Sequence, residues 1–277
     1  MTDKGQTSGA IIDCHVHLYD CFDIHDFLTG ANRNLRSAGY ELCSGEDLMS
    51  VLMLTETSRE NGFERLKHLA RGQQRSERKP DREWHVRLLP GDKSAVVATN
   101  QSDQDLLIIS GRQVISSEGL EVLALATDRE LTDGRPLKNL VRKINALNAI
   151  PVIPWGVGKW LGSRGRVLKI FLESDVNHDF FLGDILGRPT FWPRSSIFHM
   201  ADSRGIRVLP GTDPLPMKSE TRRAGMCGVH IEHRISLNHA SESVKEALRC
   251  DELVMQPYIR RETVWRFFKN QIQIRLR

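Results

Sequence analysis

Apolar residues along this chain fall in short, β-branched runs that stop at Gly, Pro, Asp or His, and several runs give way to segments of helical spacing. Such bounded runs read as buried strands. They predict strands at 10–12, 51–54, 106–110, 120–125, 151–153, 180–182 and 206–209. Leu137, Leu140, Val141, Ile144 and Leu147 make one apolar stripe at helical spacing and predict a helix over 137–148. Phe63, Leu66 and Leu69 do the same before Gly72, as do Val167, Leu168, Phe171 and Leu172 within 164–174. Alternating strands and helices imply βα units, so the expected class is α/β and the expected architecture a (β/α)7–8, TIM-like barrel. The segment 71–105 departs from the alternation. It is polar at first, then offers strand-like pieces at 84–89 and 95–99 around Pro90-Gly91-Asp92, and that turn chemistry predicts a β-hairpin insertion.

Composition changes this picture little. With 40% hydrophobic and 27% charged residues in 277, the chain suits a single folded domain over 1–277. The longest apolar runs, 51–54 and 120–126, are far shorter than the roughly 20 residues that span a bilayer, so no membrane partner is expected. Residues 1–9 are polar and lack the apolar stretch of a secretory leader, which makes the cytoplasm the expected location. Cys14, Cys21, Cys43, Cys227 and Cys250 are odd in number and contain no CxxC pair, as befits free thiols. The formal charge is only +4, although Arg260, Arg261, Arg266, Lys269, Arg275 and Arg277 gather in an expected basic helix over 255–277. With no nucleic-acid motif beside it, that cluster reads as a solvated face, and a nucleic-acid partner is not expected.

Candidate chemistry begins at the end of the first strand, in Asp13-Cys14-His15-Val16-His17. The i, i+2 spacing sends both imidazoles to one face of a strand, where they can share a divalent ion such as Mn, Zn or Fe. Other strand ends would bring further polar groups to the same mouth. These are Thr55 and Glu56, Arg112 and Gln113, Glu121, Thr127 and Asp128, Trp155 and Lys159, Asp184 and Arg188, and Thr212 and Asp213. Asp184 and Arg188, four residues apart, read equally as a salt bridge or as a proton acceptor beside an anion-binding guanidinium. The Gly-rich run Trp155-Gly156-Val157-Gly158-Lys159-Trp160 lacks P-loop spacing but would let a backbone approach an anionic substrate, with Trp155 or Trp160 as a stacking face or as core. His199 reads as a packed helix residue, His178 as loop surface, and His230, His233 and His239 as a loop beyond the last strand.

The stretch IIDCHVHL at 11–18 resembles the first motif shared by the PHP (polymerase and histidinol phosphatase) family and the amidohydrolases. Gly111-Arg112-Gln113-Val114, LEVLAL at 120–125, IPVIPWG at 150–156 and Gly211-Thr212-Asp213 are similar, in order and approximate spacing, to later PHP motifs. The resemblance implies a distorted PHP-type barrel with a metal centre on His15, His17, Glu121 and Asp213. Three positions depart from it. Gln113 replaces a bridging Glu, Trp155 stands where a His is usual, and Pro214 follows Asp213 where PHP proteins have a second His. Those departures imply one or two ions rather than three.

The expected function is therefore a metal-dependent hydrolase, first a PHP-type phosphoesterase acting on a small or sugar-linked anionic substrate. An amidase or lactonase, or a non-catalytic barrel serving as a binding module, is the alternative. His15, His17, Glu121 and Asp213 would hold the ion, Asp213 or Asp184 would accept a proton, and Lys159, Arg112 or Arg188 would steady the anion, with Trp155 beside it. The sequence leaves the oligomeric state open.

Overall fold

The computed structural model describes residues 8–43, 48–74, 84–174, 179–188 and 193–260, together with Trp265. In chain order its elements are β1 (Gly9–Val16), α1 (Ile24–Cys43), β2 (Leu48–Leu54), α2 (Gly62–Gln74), β3 (Trp84–Leu89), β4 (Asp92–Asn100), β5 (Asp105–Ile109), β6 (Gly111–Ile115) and β7 (Glu121–Leu125). There follow α3 (Leu137–Ala146), β8 (Ile150–Pro154), α4 (Gly162–Glu173), β9 (Phe181–Ile185), α5 (Ser196–Ser203), β10 (Val208–Gly211), β11 (Cys227–Ile231), α6 (Ala240–Arg249) and β12 (Met255–Ile259).

The strands form two sheets rather than the closed TIM-like barrel expected from the alternation. One has the order β12-β11-β1-β2-β5-β4-β3 and the other β10-β9-β8-β7-β6. Strand direction is the physical reason. A barrel of βα units needs every strand parallel, but β3, β4 and β5 reverse in succession, as do β6, β7 and β8, and β11 lies antiparallel to both β1 and β12. The hairpin of β3 and β4 does not stand apart from the main body; it continues the large sheet through β5. Ser110 alone separates β5 from β6, so the chain steps from one sheet to the other within a single residue. The sheets join there through an isolated parallel bridge between Glu56 and Arg112, with Glu56 N donating to Gly111 O and Gln113 N to Glu56 O.

Alternation along the strands sorts the apolar residues into three layers. Ile12 and Cys14 of β1, Val51 and Met53 of β2, Leu123 and Leu125 of β7 and Val152 of β8 fill the space between the sheets. Ile11, Leu52 and Ile108 face the other way, onto Phe27, Leu28, Ala31 and Leu35 of α1 and Phe63 and Leu66 of α2. Burying Phe27, Leu28 and Leu35 is worth about 1.5–3 kcal/mol each, enough to offset the two glycines of α1 at about 1 kcal/mol each. The third layer covers the outer face of the small sheet with α3, α4 and α5.

The expected basic helix over 255–277 is corrected at its start. Met255–Ile259 is a strand paired with β11, and positions 261–264 and 266–277 lie outside the described residues. His230 lies inside β11 rather than in a loop beyond the last strand. None of the five cysteines forms a disulfide. Among the described residues, no helix is long and apolar enough to cross a membrane.

Candidate metal centre

The site grows from the end of β1. Pairing of β1 with β2 shifts register between Asp13 and Val16, an irregularity that re-aims the side chains that follow. His15 and His17 then converge, with their Nε2 atoms 3.3 Å apart. Asp213, just beyond β10, brings Oδ1 to 3.5 Å from His15 Nε2 and 3.7 Å from His17 Nε2. Among the described residues this trio is the one group of three or more His, Cys, Asp or Glu side chains whose ligand atoms all lie within 4.8 Å.

Asp13 is the fastening beneath the trio. Its Oδ1 accepts from Thr212 N at 2.8 Å and His15 N at 3.3 Å, while Oδ2 accepts from Gly225 N at 2.7 Å and from the Thr212 hydroxyl. Burial pushes this carboxyl up to about 7, against the four donors that favour its charged form. Asp13 thus ties β1 to the β10 loop and serves as a support rather than a ligand. Asp213 N donates to His15 O at 2.7 Å, and Asp213 holds a left-handed φ of 47°, a conformation a non-glycine residue keeps only when its surroundings impose it. Gly211 permits the close approach, since a Cβ there would lie 2.4 Å from His15 N.

Electrostatics set the three groups apart. Burial drives His15 down to about 4, so its imidazole is neutral near neutral pH. Burial also opposes charge on His17, but the hydrogen bond and charge of Glu60, with Asp213 and Glu121, outweigh it and raise the value. Asp213 is held below the usual carboxylate range: burial works against its charge, and His15, His17 and Lys159 prevail. Tyr19 stacks on His17 with ring centroids 5.2 Å apart, and burial together with the nearby Asp213, Glu60 and Glu121 carboxylates keeps its phenol protonated.

The neutral His15 imidazole, the His17 imidazole once it gives up its proton, and an ionised carboxylate around one point are a donor set suited to a borderline divalent ion. Orphaned polar atoms point the same way. His15 Nδ1 and Gln113 Oε1 are buried without a partner of full hydrogen-bond geometry, although Gln113 lies close enough to favour His15 protonation.

The other candidates separate by strand direction and burial. Glu121 begins an antiparallel strand, which brings it to the same end as the close of β8, but it pairs with Lys159 at the rim and is not in the compact trio. Lys159 remains 37% exposed at its side chain. Thr127 follows the far end of β7, beside Ser110. Arg112 lies 3.4 Å from Glu56 at the sheet junction. Asp184 and Arg188 form a buried bidentate pair, with Nε to Oδ1 at 2.9 Å and Nη2 to Oδ2 at 2.7 Å, which engages both carboxylate oxygens. Trp155 and Trp160 are core residues of the outer layer. His199 is exposed on α5, and His178 lies outside the described residues. Glu60, which sequence reasoning missed, lies in the turn before α2. Its signal was the Thr57-Ser58-Arg59-Glu60 spacing, a capping-box pattern.

No family model matches the chain, and no curated protein matches it. Among solved structures it superposes on PsfC from Pseudomonas syringae PB-5123 with a TM-score of 0.58 at 11% identity, over 98% of this chain and 100% of that one. The lesion-specific endonuclease PfuEndoQ from Pyrococcus furiosus gives a TM-score of 0.49 at 12% identity, over 89% of this chain and 57% of that one. Endonuclease Q in complex with a 27-mer duplex carrying an abasic lesion gives 0.46 at 11%, over 87% and 56%. The chain shares its fold with PsfC.

Proposed function

We propose that this protein is a metal-dependent hydrolase, with a phosphoester of a small or sugar-linked anion as its first substrate class. One observation carries the reading: His15 Nε2, His17 Nε2 and Asp213 Oδ1 converge within 4.8 Å of one another. A divalent ion bound there would polarise the scissile group and lower the pKa of a water. The residues do the rest. His15 stays neutral and keeps its lone pair available, and Asp213, ionised, is the nearest proton acceptor. Lys159 brings positive charge to the rim, where its field reaches both His15 and Asp213, and it is the group placed to steady an anionic substrate. Glu121 holds Lys159 by an ion pair, a supporting role in place of the ligand role expected of it. Asp184 and Arg188 satisfy each other, so neither is assigned to the chemistry.

Metal analysis of the purified protein, after loading with Mn, Zn or Fe, tests the reading against His15→Ala and His17→Ala. About one ion per chain is expected, falling at least tenfold in either variant. No ion above background in the wild type would sink it. Turnover of a phosphomonoester and phosphodiester panel, with amides and lactones beside it, then separates enzyme from binding module. Gln113, standing where the PHP resemblance has a bridging Glu, favours the binding module if metal is held and nothing turns over.

A further inference from the structure

The two imidazoles of the trio are not held alike. His15 Nδ1 is buried with no partner of full geometry. His17 Nδ1 lies 2.8 Å from Glu60 Oε2. Glu60 is itself fixed: its Oε1 accepts from Thr57 Oγ1 at 3.0 Å, its Oε2 from Thr57 N at 3.4 Å, and its backbone N–H donates to Thr57 O at 3.1 Å. Tyr19 covers one face of the His17 ring with an interplanar angle of 10°.

An ionised carboxylate only accepts, so a bond at that distance places the hydrogen on Nδ1 of a neutral His17 and leaves the lone pair on Nε2. That lone pair faces His15 Nε2 and Asp213 Oδ1. Carboxylates behind a ligating imidazole fix its tautomer and orientation and make it a stronger donor. We infer that Glu60, braced by Thr57, is the positioning residue that presets His17 for cation binding, and that His17 rather than His15 is the preorganised ligand of the pair. The inference rests on the reading that the trio takes a divalent ion, and it is separable from that reading because the tautomer of His17 is a property of the metal-free chain.

The test uses the full-length protein and Co(II) as the probe, read by visible absorption, with 15N NMR of the imidazoles in the metal-free protein. In the wild type His17 should carry its hydrogen on Nδ1. Glu60→Ala should shift the ring towards a mixture of tautomers and weaken Co(II) binding about 10–100-fold. Glu60→Gln, which keeps an acceptor oxygen without the charge, should recover at least part of the affinity and cover the case in which Glu60→Ala fails to fold. Thr57→Ala should weaken binding a few-fold, and Glu64→Ala, on the exposed side of α2 beside Lys67, should leave it unchanged. Wild-type affinity in Glu60→Ala and Glu60→Gln, or a wild-type His17 with its hydrogen on Nε2, would overturn the inference. Failure of the wild type to bind Co(II) would instead count against the metal reading, while the tautomer would still decide whether Glu60 orients His17.

Discussion

The two ends of the β1–β11 pair both bury histidine, and they do different things with it. At the β1 terminus, His15 and His17 face an ionised Asp213, and His17 is held from behind by Glu60. On the neighbouring strand His230 is equally buried, yet its ring meets the Cys43 thiol, with Nε2 at 3.3 Å, and Gly9 beyond it. No carboxylate joins that second cluster among the described residues. Burial and imidazole are thus common to both, and the difference lies in converging negative charge and a fixed tautomer. A buried histidine is a packing unit until a carboxylate and an outer partner are aimed at it.

The contrast can be broken hardest at Asp13. Asp13→Ala would strand the Thr212 and Gly225 N–H groups in the interior and untie β1 from the β10 loop. A loss of about 3–5 kcal/mol is expected by urea denaturation. A loss below 1 kcal/mol would mean the fastening is not structural.

Acid should weaken the His15 end next. An unfolded imidazole takes its proton near 6.5 and folded His15 only near 4, so across that window the unfolded chain binds the extra proton. Stability present above pH 6.5 is therefore lost as pH falls towards 4, by about 3 kcal/mol in the metal-free protein. The raised value of His17 acts in the opposite sense, with stability lost as pH rises through it, so the measurement is the difference between wild type and His15→Gln at each pH. Parallel curves for the two would remove the claim.

The smallest effect belongs to the other cluster. His230→Ala should cost about 1–2 kcal/mol through lost packing and leave Co(II) affinity within twofold of wild type. A larger loss of affinity would show the two regions to be coupled.

Much of this was legible in the chain and some was not, for identifiable reasons. Each of the seven apolar runs overlaps a strand, with ends off by one or two residues in four of them, because a buried strand needs little more than a short apolar run with breakers. β6, β11 and β12 escaped notice because Arg112 and Gln113 interrupt the first run, Gly228 and His230 the second, and Gln256 and Pro257 the third. The longest helix, α1, also escaped, since its apolar stripe of Phe27, Leu28, Ala31, Leu35 and Ala38 is diluted by polar and small residues. Strand direction leaves no trace in hydrophobic spacing, and that is why a barrel was expected where two sheets formed. At the site, the i, i+2 histidines and the Gly-Thr-Asp triplet were readable as chemistry. The burial that turns Trp155 into core and pairs Asp184 with Arg188 depends on contacts between elements, which no local pattern reports.

The span between Asp13 and Thr212, 199 residues along the chain, has a kinetic consequence. Contacts of such long range close late, after the loop entropy between them has been spent. The trio should therefore assemble near the end of folding, once the β10 loop docks on β1. Anything that strengthens it, a bound cation included, should slow unfolding and leave the refolding rate almost untouched.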